Sequence, residues 1–288
     1  MLLIDAHHHV WDLSRAEYPW LGPDLGVLNR DHGMDELLPM LDEAGIAKTV
    51  VVQSSDNDED TAYMLELADA CDRIGAVVGW VPLDRPAEAE RRLAELTRHP
   101  RFRGVRPGIH FMPDPEWLLR PDVGEGLALL EAAGLTLDIV SVRRRHLELV
   151  AELADRHPGL PMVIDHLSKP PIRRPEWEQA WRTNLASAAR RPNVYAKVSG
   201  MFPAGGPMDD WDAALLRPYL DFALEHFGPE RLMFGSDWPI CDLAGGFGKV
   251  WREYNVLFGA LGPKERERIL GGTAARFYRI ELDGRSAA

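Results

Sequence analysis

The sequence is poor in three features that each mark a class of protein. Only two of its 288 residues are cysteines, Cys71 and Cys241, which excludes a disulfide-stapled secreted scaffold and predicts a reducing, cytoplasmic location. No apolar run reaches the roughly 18 residues that a membrane-spanning helix requires. No basic start followed by a long apolar stretch indicates a signal peptide. The sequence therefore predicts a soluble protein with no membrane partner.

Positive charge is also scarce. Lysine and arginine together number 33 against 45 aspartates and glutamates, which gives a formal net charge of -12. Binding to a nucleic-acid backbone needs a basic face, and the short arginine runs at residues 143–145 and 173–174 do not form one. The sequence therefore predicts no nucleic-acid partner. The hydrophobic share, 45%, is ordinary for a globular chain and is sufficient for a large core.

Apolar segments and helical patterns alternate along the chain. Strands are predicted at residues 2–4, 47–53, 76–81, 102–106, 135–140, 160–165, 193–199 and 231–236. Helices are predicted between them at residues 34–44, 58–74, 86–99, 115–133, 144–157, 175–191 and 211–227, with two more at 247–260 and 263–278. Eight βα units with strands apolar on both faces predict one α/β domain over residues 1–288, a (β/α)8 TIM barrel with extra C-terminal helices. An open doubly wound sheet is disfavoured because no G-x-G-x-x-G follows a strand.

The first strand ends in a cluster of imidazoles. His7 and His9 are two residues apart, so on an extended backbone they share a face while His8 points away. Two converging imidazoles can bind a metal, or hold a substrate oxygen and a proton. The alternative, a histidine-rich start without a role, is disfavoured by the strand before the cluster and by the Val-Trp-Asp that follows it.

Polar side chains also follow later strands, at the rim where barrel enzymes carry their chemistry. Asp237 follows the last strand and could ligate a metal or deprotonate water; as an alternative it could cap a helix, which Pro239 argues against. His166 follows the sixth strand and could face the same centre, or be a structural histidine bonded to a loop carbonyl. Asp165 could orient a histidine or cap the loop.

Four further residues are candidates for substrate binding: Arg106, Lys197, Trp238 and His110. Arg106 ends the fourth strand and is a better candidate than Arg103, which faces the other side of the pleat, for holding a carboxylate or hydroxyl. Lys197 lies inside an apolar strand and needs a partner, which the barrel mouth would supply. His110 is equally compatible with a loop contact to substrate and with a surface role.

These motifs together resemble a known family. The motifs are Ile-Asp-Ala-His-x-His-x-Trp-Asp from residue 4, Tyr18-Pro19-Trp20-Leu21, Gly104-Val105-Arg106, Asp165-His166-x-x-Lys169-Pro170, Lys197-x-Ser199-Gly200 and Phe234-Gly235-Ser236-Asp237-Trp238-Pro239. In this order they resemble the amidohydrolase superfamily, and within it the branch of sugar and dicarboxylate lactonases related to L-fuconolactonase and 2-pyrone-4,6-dicarboxylate lactonase. The resemblance runs from residue 4 to 239.

The resemblance implies a (β/α)8 barrel that hydrolyses a small lactone. It matches His7 and His9 to the first-strand histidine pair, His166 to the sixth-strand histidine and Asp237 to the eighth-strand aspartate, which are the implied catalytic residues and metal ligands. The fifth strand supplies no histidine and the fourth no bridging lysine or glutamate. This set therefore favours one divalent ion, zinc, over two, and members of the branch that work without metal make metal-free catalysis an alternative.

The expected reaction is hydrolysis of a carboxylic ester bond. Asp237 would deprotonate a water that attacks the lactone carbonyl, while His7, His9 and His166, alone or through zinc, stabilise the oxyanion. The expected substrate is a sugar aldonolactone, consistent with carbohydrate catabolism, or a carboxylated lactone of the muconolactone or pyrone type. Two alternatives remain: a metal-dependent non-oxidative decarboxylase of the same superfamily and a non-catalytic barrel that binds sugar acids. The oligomeric state is open, a homo-oligomer included.

Overall fold

A computed structural model describes residues 1–203 and 205–281 of the chain. Eight strands form one sheet in the order of the sequence, and each strand is parallel to the next. The strands are β1 (Ile4–His8), β2 (Lys48–Val52), β3 (Ile74–Gly79), β4 (Phe102–Val105), β5 (Thr136–Ile139), β6 (Met162–Ile164), β7 (Val194–Val198) and β8 (Leu232–Phe234). A parallel bridge between His8 and Trp238 brings the ends of the first and last strands together and closes the barrel.

Helices follow the strands and cover the outside of the barrel. They are α1 (Met34–Ala44), α2 (Asp58–Ala70), α3 (Pro86–Leu96), α4 (Pro121–Ala132), α5 (Arg144–Arg156), α6 (Pro175–Ala189), α7 (Ala213–Phe227), α8 (Phe247–Gly259), α9 (Pro263–Glu267) and α10 (Thr273–Phe277). The predicted (β/α)8 barrel with extra C-terminal helices is confirmed. None of the helices in the described ranges combines the length and apolarity that a membrane crossing requires.

The predicted helices end within three residues of the observed ones, with three exceptions. The helix predicted at 58–74 ends at Ala70, and Ile74 already begins β3. The helix predicted at 115–133 is broken at Arg120, which is extended because a proline, Pro121, follows it. The helix predicted at 263–278 contains a π-helical turn, Arg268–Gly272, where Gly271 approaches the Leu2 carbonyl so closely that a Cβ would lie 2.3 Å from the oxygen.

The barrel interior is filled by two kinds of side chain. Its amino-terminal half is apolar and is closed by Phe277, Tyr278 and Ile280 from the end of the described chain. These residues pack against aliphatic strand residues: Ile4, Ala6, Val50, Val52, Ala76 and Val78. The carboxyl-terminal half is polar, and it forms the floor of the site described below.

Candidate active site

The end of β1 brings two imidazoles together. The Nε2 atoms of His7 and His9 are 3.1 Å apart, whereas His8 turns to the other side, where its Nε2 lies 3.0 Å from Thr49 Oγ1. The alternation of side chains along a strand accounts for this split. All three rings are buried. The pair predicted from the sequence spacing therefore converges, and His8 contacts the neighbouring strand.

Asp237 lies at the centre of the cluster. Its Oδ1 is 3.7 Å from the Nε2 atoms of His7, His9 and His166. Its backbone is left-handed, with φ of 60°, a conformation that the short side chain of aspartate tolerates. The Asp237 amide donates to the His7 carbonyl at 2.8 Å, which fixes this turn against β1. The helix-cap alternative is not what the structure shows, since the turn Ile240–Ala244 receives no side-chain cap.

His166 is delivered by an unusual stretch of backbone after β6. Four successive residues have positive φ: His166, Leu167, Ser168 and Lys169, at 56°, 48°, 60° and 48°. Such conformations cost about 1–3 kcal/mol each and cluster at functional sites. The turn aims His166 Nε2 at Asp237, and His166 Nδ1 lies 2.9 Å from Ser199 Oγ. The partner of the ring is therefore a side chain of the site and not a loop carbonyl.

A charged layer lies beneath the histidines, inside the barrel. Lys197 Nζ is 2.5 Å from Asp138 Oδ2, 3.1 Å from Asp165 Oδ1 and 3.0 Å from His7 Nδ1. The ammonium therefore donates to Asp138 and also lies close to the Asp165 carboxylate and the His7 ring. The Tyr278 hydroxyl donates to Asp138 Oδ2 at 2.7 Å from below. All five side chains are fully or almost fully buried.

Asp165 connects this layer to the cavity above. Its Oδ1 lies 3.3 Å from His7 Nδ1, and its Oδ2 lies 3.3 Å from Arg106 Nε. The sequence leaves two roles open for Asp165, orienting a histidine or capping the loop. Its contact with His7 Nδ1 corresponds to the first role. Arg106 also donates from Nη1 to the Gln53 carbonyl at 2.9 Å, so its guanidinium is held at the edge of the cavity.

Burial sets the protonation of the cluster. It lowers the pKa of His7 to about 3, with a further contribution from Lys197, and it lowers the pKa of His9 and His166 well below the usual range. Burial raises the pKa of Asp237, although Lys169 and Arg106 act against it. The imidazoles are therefore neutral near pH 7, which is the form that binds metal.

The proton on His9 can be placed from one contact. His9 Nδ1 lies 2.8 Å from the Val52 carbonyl oxygen, and a carbonyl only accepts hydrogen bonds. Nδ1 therefore carries the ring proton, and Nε2 presents a lone pair to the centre of the cluster. His9 is arranged as a ligand or a proton acceptor and not as a donor to an oxyanion.

The donor set fits one divalent metal ion. One ligand atom each from His7, His166 and Asp237 lies within 4.8 Å of the others, and His9 Nε2 is adjacent. Ligand atoms around a tetrahedral zinc ion are about 3.3 Å apart, so small side-chain rotations would complete such a shell. Asp237 Oδ2 is buried and has no hydrogen-bond partner. In the fifth strand, Asp138 is engaged by Lys197 and Tyr278, so it does not extend the set to a second ion.

A cavity of about 800 Å³ opens above the cluster. Of the four predicted substrate contacts, Arg106 and His110 line this cavity. Lys197 does not, because its ammonium is held below His7 by two buried carboxylates. Trp238 does not either: it follows Asp237 in the chain, faces the other way and packs against the His32 ring at 5.5 Å. These two predictions of direct substrate contact are corrected by the structure.

Several lining residues were not predicted as site residues. Lys169 Nζ donates to the Gly200 carbonyl at 3.0 Å and lies 3.6 Å from Asp237 Oδ2. Its position in the Asp-His-x-x-Lys-Pro motif was the available signal. The cavity is also lined by residues of the long loop after β1 and the segment after β2: Glu17, Trp20, Gln53, Asp56 and Asn57. A long loop predicts function in general but not which of its residues turn inward.

Comparison with known proteins places this arrangement in a family. The family model described as amidohydrolase matches residues 4–280. The chain is 39% identical over 285 residues to an L-fucono-1,5-lactonase of Burkholderia ambifaria, covering 96% of each chain, and 36% identical over 299 residues to one of Burkholderia multivorans, covering 97% of this chain and 96% of the other. It also superposes on the zinc-bound crystal structure of an amidohydrolase from Burkholderia multivorans. The TM-score is 0.89 and the identity 36%, over 98% of this chain and all of the other. The chain belongs to the amidohydrolase family.

Proposed function

We propose that this protein hydrolyses the ring ester of a small sugar lactone, of the 1,5-lactone class. The observation that carries the proposal is the position of Asp237, whose Oδ1 stands 3.7 Å from three imidazole Nε2 atoms on the floor of a cavity. A carboxylate of raised basicity beside ligand-ready imidazoles is suited to activating water next to a carbonyl carbon. The two L-fucono-1,5-lactonases, at 39% and 36% identity, support a lactone substrate.

The side-chain charges of the cavity, without a metal ion, favour a neutral substrate. Two cations, Arg106 and Lys169, face three carboxylates, Glu17, Asp56 and Asp237. Both cations are near a carboxylate of the site, Arg106 at Asp165 and Lys169 at Asp237. Before any metal ion binds, a lactone bearing free carboxylates would therefore meet a surplus of negative charge. Hydroxyl groups, which donate to carboxylates, are better matched.

The cavity also offers surfaces for the carbon skeleton of a sugar. Trp20 lines it and is held in place because its Nε1 donates to the Ser54 carbonyl at 2.6 Å. Phe111 also lines the cavity and is 57% exposed. Aromatic faces next to polar groups suit a ring with apolar faces and hydroxylated edges. The alternative substrate class is a carboxylated lactone. Its negative charge is not matched by the side-chain charges of the metal-free cavity.

The proposed roles of the chain's residues follow from their contacts. Asp237 accepts a proton from the attacking water, and Lys169, 3.6 Å away, offsets the negative charge at that end of the carboxylate. Arg106 holds the substrate and faces the carboxylate that forms when the ring opens. His110 is half-buried, and desolvation and Arg106 lower its pKa to about 3, so it offers a neutral imidazole to a substrate oxygen. Lys197 is a positioning residue that acts through His7.

A divalent metal fits the same four groups. His7, His9, His166 and Asp237 would hold it, and the zinc bound in the Burkholderia multivorans relative supports zinc as the ion. When bound, such an ion polarises a carbonyl oxygen and lowers the pKa of water. Elemental analysis of the purified protein, followed by chelation and re-addition of zinc, tests whether turnover depends on it.

The reaction is tested with a panel of aldono-1,5-lactones and 1,4-lactones and a pH indicator. We expect acid release from at least one 1,5-lactone, at a rate that Asp237→Asn lowers by about 10²-fold or more. A parallel assay with aromatic carboxylates records carbon dioxide, which the decarboxylase alternative predicts. Calorimetric binding without turnover would identify a non-catalytic sugar-acid-binding barrel. Carbon dioxide release without acid release from any lactone, or binding alone, would overturn the proposal.

A further inference from the structure

A second cluster of ligand-type side chains lies outside the cavity. His32 ends the long loop after β1, Glu36 lies in the first turn of α1, and Asp242 lies in the turn after β8. One nitrogen or oxygen atom from each lies within 4.8 Å of the other two. His32 Nδ1 is 3.4 Å from Glu36 Oε2. The three side chains come from two segments, residues 32–36 and the turn after β8, so the cluster joins parts of the chain that are far apart in the sequence.

The imidazole of His32 directs a lone pair into this cluster. The residue is fully buried, and its Nδ1 has no hydrogen-bond partner. Its Nε2 lies 3.2 Å from the Val27 carbonyl oxygen, which only accepts, so Nε2 carries the ring proton. Burial lowers the pKa of His32, and the ring is therefore neutral near pH 7. An acceptor nitrogen that faces two carboxylates is unfavourable unless a cation lies between them.

The ring is held in this orientation by its surroundings. The backbone of His32 pairs with that of Trp11 through two hydrogen bonds of 2.9 Å. The ring meets the Trp11 ring edge-on at 5.0 Å and the Trp238 ring at 5.5 Å. The imidazole therefore presents a fixed donor atom, which lowers the entropy cost of binding an ion.

The charge around the cluster suits one divalent cation. Glu36 and Asp242 bring two negative charges, and Arg30 brings one positive charge by donating to both Glu36 oxygens at 2.8 and 2.6 Å. Each carboxylate oxygen keeps a second lone pair for a metal. Asp242 is half-buried, and burial raises the pKa of its carboxyl, followed by the effect of Glu36.

We propose that His32, Glu36 and Asp242 form a second metal site, which binds one divalent transition-metal ion such as Zn²⁺. One imidazole and two carboxylates are ligands that zinc accepts, whereas the nitrogen disfavours Ca²⁺ and Mg²⁺. The ion joins the loop after β1 to the turn after β8. These two segments also carry Trp20 and Ile240, which line the cavity. The site therefore braces the cavity wall without belonging to the catalytic cluster.

The test counts zinc. The full-length protein is stripped with a chelator, dialysed against Zn²⁺ and analysed for metal per chain. We expect Asp242→Asn to bind one equivalent fewer than the wild type, while Asp35→Asn, which removes an exposed carboxylate next to Glu36 on the same helix, binds the wild-type amount. The catalytic cluster is unchanged in both variants. Any zinc bound there contributes equally to all three proteins and does not affect the comparison. Equal stoichiometry in the wild type and Asp242→Asn would overturn the site.

A second measurement guards against loss of folding. Thermal unfolding without zinc should be alike for the wild type and Asp242→Asn, since the replacement is isosteric and half-buried. Added Zn²⁺ should raise the Tm of the wild type and of Asp35→Asn by several degrees more than that of Asp242→Asn, because binding stabilises the folded state. An anomalous-scattering peak at the zinc edge between the three side chains would locate the ion. Equal Tm increases in all three proteins would contradict the proposal.

Discussion

Gly200 makes room for Asp237. A Cβ at position 200 would lie 2.4 Å from Asp237 Oδ2 and 2.6 Å from His166 Nδ1, and Gly200 has a positive φ of 52°. We therefore expect Gly200→Ala to displace both catalytic groups and to lower kcat roughly 100-fold, the scale of a misplacement of about 1 Å. Steady-state kinetics with the best lactone of the panel measures the loss.

A matched variant separates backbone strain from displacement. Gly26 has the same φ of 52°, but nothing lies within 4 Å of a Cβ built there. We expect Gly26→Ala to cost more than about 1 kcal/mol of unfolding free energy, because the backbone there has φ of 52° and ψ of -110°, and to leave kcat near the wild-type value. A similar fall in kcat for both variants would show that strain, and not contact with Asp237, causes the effect.

Replacing Asp237 by asparagine should remove the proton acceptor. The amide keeps the size of the side chain, so the fold and the Tm should be retained. We expect kcat to fall by about 10²–10⁴, the range in which general acid–base groups contribute. Circular dichroism and lactone turnover check both parts. Near-normal turnover by a folded Asp237→Asn protein would assign the base to another group.

Lys197 neutralises part of the negative charge of Asp138 and Asp165 in the charged layer beneath the site. Lys197→Met leaves Asp138 and Asp165 buried without their shared cation, and losing one partner of a buried ion pair costs about 3–5 kcal/mol. Urea unfolding at pH 7 measures this loss. Adding Asp138→Asn to Lys197→Met removes one of the two stranded charges, so the double variant should regain part of the stability. If Lys197→Met unfolds like the wild type, the layer does not depend on the ammonium charge.

Asp60 should make stability fall as the pH rises. Its buried carboxyl accepts from the Tyr18 hydroxyl at 2.9 Å and the Ser54 amide at 2.8 Å, yet burial raises its pKa from 3.8 to about 6. The group is protonated in both states below pH 3.8. Between that pH and 6 the unfolded chain loses the proton first, so folding loses up to about 3 kcal/mol.

Asp60→Asn has no proton to lose at this position. From pH 4 to pH 7, the unfolding free energy of the wild type should therefore fall relative to that of Asp60→Asn, by up to about 3 kcal/mol. Urea unfolding at unit pH intervals gives both curves. Parallel curves across this range would show that the Asp60 carboxyl titrates normally in the folded protein.

The barrel and the position of the central cluster were predictable because each strand is an apolar run that stops at a polar residue. That change of character marks the strand end, and parallel strands bring their carboxyl ends to one rim. His7, His9, His166 and Asp237 are consequently together in the structure, as their places in the sequence predict.

The depth of a side chain was less predictable. Lys197 precedes a strand end by a residue and points inward below the rim, a distinction that depends on how the strands are staggered. The role of Lys169 depends on four successive left-handed residues, which no residue propensity predicts at non-glycine positions. The contact of Tyr278 with Asp138 joins residues 140 positions apart and has no local signal.

That last contact has a consequence for synthesis of the protein in the cell. Tyr278 donates to the carboxylate that holds Lys197, and Lys197 in turn contacts His7, a residue of the first strand. The polar floor is thus incomplete until the residues around position 278 have left the ribosome. A nascent chain that has already formed all eight strands should therefore still lack an ordered catalytic centre, and activity should appear only once translation has passed this point.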